Sequence, residues 1–88
     1  MQCSLIVTGQ VQQVFYRKYT VAKALELGIT GYVENRNDGS VHIVANGNAD
    51  SLTALENWCY TGSPLSKVIE VKRFENAEVL NENTFVQH

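Results

Sequence analysis

Several things are scarce in this chain. Its 88 residues include one proline, one tryptophan and two cysteines, and no acidic residue precedes Glu26. No apolar run is longer than stretches such as Leu5-Ile6-Val7, whereas a membrane-spanning helix needs about 20 apolar residues. The start, Met1-Gln2-Cys3-Ser4, lacks the basic residues of a secretory leader. A cytoplasmic protein with no membrane partner is therefore expected. Cys3 and Cys59 form neither a metal nor a redox motif, and free thiols fit a reducing compartment. Neither repeats nor low-complexity segments occur, and 44% hydrophobic with 18% charged residues is ordinary globular composition, so no disordered tract is expected. The net charge of −2 argues against a general nucleic-acid partner.

What charge there is lies unevenly. Residues 1–25 carry Arg17, Lys18 and Lys23 and no acid, so the positive charge sits in the first quarter of the chain. Hydrophobic spacing then gives the elements. Cys3–Thr8 is short, apolar and rich in branched residues, as a strand is; Gly9–Tyr16 reads as a loop. Arg17–Leu27 reads as a helix with Val21, Ala24 and Leu25 on one face, stopped by Gly28. Ile29–Asn35 and Ser40–Asn46 are two strands joined at Asn37-Asp38-Gly39, a strong hairpin signal. A second helix is expected over Asp50–Tyr60 with Leu52, Leu55 and Cys59 inward, ended by Gly62-Ser63-Pro64. Lys67–Phe74 and a short Thr84–Gln87 complete the strands.

The order β-α-β-β-α-β is the split, ferredoxin-like α+β arrangement: one domain over residues 1–88, with two helices on one face of a four- to five-stranded, mainly antiparallel sheet. A helical crossover makes the first two strands parallel. The loop after the first strand and Asn35 at the end of the second then lie at the same edge of the sheet. The two cysteines fall at opposite ends of the fold, beyond the ~7 Å Cα limit of a disulfide.

The loop Gly9-Gln10-Val11-Gln12-Gln13-Val14-Phe15-Tyr16-Arg17 runs from a strand into a helix start. The first N–H groups of a helix have no partner within it, and with the helix dipole they attract an anion. Arg17 and Lys18 oppose that dipole by ~0.3–1 kcal/mol each, a conflict that a bound dianion removes. Helical side chains lean toward the N-terminus, so the Arg17 fork is expected to reach back into the loop mouth, where it suits two phosphate oxygens. The loop lacks the Gly-Lys-Ser/Thr ending of a Walker A motif. Asn35 sits before a turn, where asparagine also bonds nearby backbone. Its carboxamide can instead accept one hydrogen bond and donate another, which fixes a water's orientation beside a phosphate.

These two stretches resemble the signatures of the acylphosphatases. The first family pattern is Gly-x-Val-Gln-Gly-Val-x-Phe/Tyr-Arg, matched by Gly9, Val11, Gln12, Val14, Tyr16 and Arg17. The second is Gly-aromatic-small-x-Asn-x-x-x-Gly-x-Val, matched by Gly31, Tyr32, Val33, Asn35, Gly39 and Val41. The resemblance implies metal-independent hydrolysis of the carboxyl–phosphate bond of small acyl phosphates, with no cofactor. It implies that Arg17 and the backbone of Val11, Gln12, Gln13, Val14, Phe15, Tyr16 and Arg17 hold the phosphate, and that Asn35 orients the attacking water. Inorganic phosphate or sulfate is expected to occupy the same site. A monomer is the default, since no self-association surface is evident.

Gln13 departs from the pattern by standing where the family has its middle loop glycine. A non-glycine residue in a left-handed conformation costs about 1–2 kcal/mol, and its side chain can crowd the anion. That keeps open a non-catalytic or weakly active phosphate-binding module on the same fold. Glu34, beside Asn35, is expected on the opposite face of its strand. His42 and His88 have no metal-ligand companions, Cys59 reads as a core residue, and Trp58, Phe15, Tyr16 and Tyr19 read as packing. An RNA-recognition reading fails because Val41–Ala45 lacks stacking aromatics.

Overall fold

In the computed structural model, which describes residues 1–75 and 82–88, the elements run β1 (Gln2–Gln10), α1 (Tyr16–Glu26), β2 (Thr30–Asn35), β3 (Val41–Asn46), α2 (Ala49–Thr61), β4 (Lys67–Glu75) and β5 (Phe85–Gln87). β3 has the near-continuous apolar sequence of a strand covered on both sides, and Val41–Ala45 are all buried. It lies at the centre of a sheet ordered β4-β1-β3-β2-β5. β1 and β2 both pair antiparallel with β3, so they run parallel to each other, as the crossover requires. The edge strand β4 carries Lys67, Glu70, Lys72, Arg73 and Glu75, charges that discourage edge-to-edge association. β5 is a short second edge, parallel to β2, with Phe85 opposite Gly31 and Gln87 opposite Val33.

Both helices cover one face. Cys3, Leu5 and Val7 of β1 and Val41, Ile43 and Ala45 of β3 meet Ala24 of α1 and Leu52, Leu55 and Cys59 of α2 in one core. Burying a leucine or valine of this kind stabilises the fold by about 1.5–3 kcal/mol. The inward face expected for α2 is the one observed. That of α1 is rotated. Tyr16, Thr20 and Ala24 are buried at successive turns, while Leu25 is 52% exposed. Burial of Thr20 is possible because its hydroxyl donates to the Tyr16 carbonyl at 2.8 Å, leaving no unpaired polar group.

Both cysteines are buried and free. Burial pushes the Cys59 thiol up to about 12, so it stays protonated at neutral pH, consistent with a core role. The hairpin between β2 and β3 closes with Gly39 N–H on the Arg36 carbonyl at 3.1 Å. The Asp38 carboxylate accepts from the Ser40 hydroxyl and N–H, at 2.6 and 2.9 Å.

Candidate active site

β1 ends in a bulge. Its register with β4 shifts between Thr8 and Gly9. Gly9 has φ 126°, and a Cβ there would lie 2.2 Å from the Lys67 carbonyl oxygen. Only glycine allows the strand to cross so close to β4 and turn out into the loop.

Beyond the bulge the backbone takes two left-handed steps, Gln13 and Phe15, each at φ 63°. The positive φ anticipated for a glycine-type position at Gln13 is therefore present, with a second at Phe15. Left-handed residues of this kind turn successive N–H groups toward a common side, the arrangement of an anion-binding nest. Phe15 is also the N-cap of α1, whose first residue, Tyr16, lies one position earlier than expected. No side chain caps that start and no acid occupies its first turn. A helix end without either is electropositive and open to an anion.

Three side chains fix the loop. The Gln12 carboxamide donates to the carbonyls of Arg36 and Ser40, at 2.7 and 2.9 Å, tying the loop to the β2–β3 hairpin. The Ser63 hydroxyl donates to the Val14 carbonyl at 2.7 Å. The Tyr16 hydroxyl donates to the Cys59 carbonyl at 2.8 Å, and its ring lies 5.4 Å from that of Trp58. Burial pushes the Tyr16 phenol far above its ordinary range, so it remains a donor. Gly62 lies against the same ring, where a Cβ would sit 2.7 Å from Tyr16 Cε2. The turn after α2, read from the sequence only as a helix stop, is thus a support of the loop.

The loop edge opens into a cleft of about 310 Å³ whose lining includes Val11, Gln13, Arg17, Lys18, Asn35 and Gln87. Arg17 and Asn35, 18 positions apart in the chain, line the same cavity. Phe15 and Tyr16 also border it. Gln12 and Val14 do not line it with their side chains; they hold the loop from behind. The Asn35 Oδ1 atom is buried and has no hydrogen-bond partner. A buried acceptor without a partner costs about 1–3 kcal/mol, and the residue that bears it lines the same cavity as Arg17. Glu34 points away: it pairs across the strands with His42, its Oε2 3.5 Å from Nδ1, so it does not set a negative charge in the cleft.

Two corrections follow. Phe15 and Tyr19, expected to pack, are 65% and 43% exposed. Phe15 is swung outward because its left-handed backbone departs from the helical path that buries Tyr16. The second concerns β5, whose end the sequence did not place at the site. Gln87 lines the cleft, and the main-chain oxygen of His88 accepts from Arg17 Nη1 at 2.5 Å. His88 N–H is itself tied to the Val33 carbonyl at 2.8 Å, and its ring meets Tyr32 edge-on at 4.9 Å. One arm of the guanidinium is therefore held by protein.

A family model for acylphosphatase matches residues 3–87. The chain belongs to the acylphosphatase family. It is 52% identical over 68 residues to an acylphosphatase of Xanthomonas campestris pv. campestris, a match covering 77% of each protein. With an acylphosphatase of Shewanella amazonensis it shares 45% identity over 75 residues, covering 83% of this chain and 82% of the relative. The crystal structure of acylphosphatase from Bacillus subtilis superposes with a TM-score of 0.93 at 32% identity, covering 99% of this chain and 97% of the other. Acylphosphatases are hydrolases that act on acyl phosphates, and family membership gives this chain that reaction class.

Within that acylphosphatase frame, Gln13 is the testable departure. Its side chain is exposed at the cleft. Gln13→Gly removes both the left-handed penalty of about 1–2 kcal/mol and a side chain exposed at the cleft. The expected result is inorganic phosphate binding tightened by about twofold to fivefold in calorimetric titration, with little change in stability because glycine loosens the unfolded chain by ~0.5–1 kcal/mol. Unchanged or weaker binding would contradict this view of the loop.

Proposed function

We propose that the loop amides and the free arm of Arg17 bind the phosphoryl group of a small acyl phosphate, and that Asn35 aims the water that attacks it. The single observation that carries this is that Asn35 and Arg17, far apart in the chain, line one cavity. A carboxamide is too weak a base to remove the proton outright. As an acceptor it can hold one water hydrogen, leaving an oxygen lone pair directed at phosphorus.

The chemistry needs little more. Phosphoryl transfer has a loose transition state, and most of its catalysis comes from positioning and charge stabilisation. The water oxygen forms a bond to phosphorus as the bond from phosphorus to the carboxylate oxygen breaks. The carboxylate leaves with that electron pair and, as a weak base, needs no general acid. The water's proton passes to a phosphoryl oxygen, and the products are a carboxylate and inorganic phosphate. Arg17 and the N–H groups at the start of α1 meet the charge on the phosphoryl oxygens in both ground and transition states. The hydrogen bond from Arg17 to His88 keeps the guanidinium turned to the cleft.

We take the enzyme as cytoplasmic, which its two free thiols fit, and as a monomer, which the charged edge strand β4 fits. The test is direct. With acetyl phosphate as substrate and a chelator present, phosphate release should exceed the spontaneous rate and be inhibited by added inorganic phosphate. Phosphate binding without release would instead favour a non-catalytic anion module.

A further inference from the structure

Beside the phosphate cleft lies a second depression of about 210 Å³, formed on α1 by Lys18, Tyr19 and Ala22. Lys18 borders both. Resting on the phosphate site proposed above, we infer that Lys18 is a specificity-determining residue that favours acyl phosphates whose acyl chain carries a second negative charge, as in the half-phosphorylated short dicarboxylic acids.

Placement carries this. With the phosphoryl group held by Arg17 and the loop, the acyl chain must leave along the cleft mouth, which Phe15 borders. Ala22 is one turn beyond Lys18, so the depression continues along the helix surface on the Lys18 side. Helical side chains lean toward the N-terminus, which brings the Lys18 ammonium back over the junction of the two hollows.

Charge carries it too. Among the described residues Lys23 pairs with Glu26 and Lys72 with Glu70; Lys18 and Lys67 have no carboxylate within ion-pair distance, and of these two only Lys18 borders the cleft. Among the described residues, none that lines either hollow is acidic. An ammonium in the first turn of a helix opposes the dipole, and the first turn of α1 holds no acid to offset it. The phosphoryl group is taken by Arg17 and the amides; a distal carboxylate on the acyl chain would give Lys18 a partner. The exposed ring of Tyr19 flanks this position and offers the methylene groups an apolar surface.

The readout is a ratio. The kcat/KM for succinyl phosphate is divided by that for butyryl phosphate, which has the same chain length without the distal charge. In Lys18→Met that ratio should fall about threefold to fivefold, the size of an exposed ion pair. Lys18→Arg should retain it, and raising the salt to 1 M should lower it in the native enzyme as screening grows. A ratio left unmoved by Lys18→Met, with both substrates affected equally or not at all, overturns the inference. Failure of the native enzyme to turn over either substrate overturns the phosphate site itself, and this inference falls with it.

Discussion

Arg17→Gln should lower kcat/KM for a small acyl phosphate by about three orders of magnitude and leave the fold intact. The loss of rate is expected because the guanidinium brings both a charge and a planar fork to the cleft, and a positioned cation or oxyanion donor contributes ~10²–10³ or more in systems of this kind. Glutamine keeps a donor but loses both the charge and the planar fork. Stability should scarcely respond. The substitution removes one hydrogen bond, to the His88 main-chain oxygen, worth about 1 kcal/mol. It also removes a cation that opposes the dipole at the start of α1, which returns ~0.3–1 kcal/mol. Phosphate release and thermal melting, measured on the same preparation, check both halves. Retained activity, or a melting temperature that collapses with the activity, would show that Arg17 serves the fold and not the reaction.

Asn35→Ala is expected to separate catalysis from binding. If the carboxamide aims the water, kcat should fall by about two to three orders of magnitude, while affinity for inorganic phosphate stays within about twofold, because Arg17 and the loop amides are untouched. The stability effect should be small. The fold gives Asn35 Oδ1 no hydrogen-bond partner, so the substitution breaks no hydrogen bond within the protein at that atom, and the melting temperature should change little. A lower melting temperature together with weakened phosphate binding would instead assign Asn35 to the hairpin turn.

How much of this was legible without coordinates depended on the range of the contacts involved. The strand–helix alternation, the Asn37-Asp38-Gly39 turn and the inward residues of α2 are local patterns, and they appear where the sequence puts them. The neighbourhood of Arg17 and Asn35 is not local, yet it followed from topology: a single crossover makes β1 and β2 parallel and brings both to one edge. Gln13 was readable because a side chain in a glycine position implies a backbone conformation, and φ is positive there.

Three features were not readable, each for a physical reason. The buried face of α1 is rotated toward Thr20 because a hydroxyl can satisfy itself on the preceding turn, which hydrophobic spacing does not register. Ser63 looked like turn punctuation; its hydroxyl reaches a carbonyl 49 positions earlier in the chain. The end of β5 meets Arg17 across 71 positions, through a strand too short to announce its pairing partner. These supports lie behind the motif residues and explain how a loop with two left-handed residues keeps one shape. Clamped by Gln12, Ser63 and Tyr16, the loop would need no ordering step to take a phosphate on the reading proposed above.

Hydrolysis in water enriched in oxygen-18 reports most directly on where the bound water is aimed. A single turnover of acetyl phosphate with the native enzyme should place the label in inorganic phosphate and none in acetate, because the bond made is to phosphorus. Label recovered in the acetate would mean that water attacks the carbonyl carbon, and the geometry assigned to Arg17 and Asn35 would be wrong.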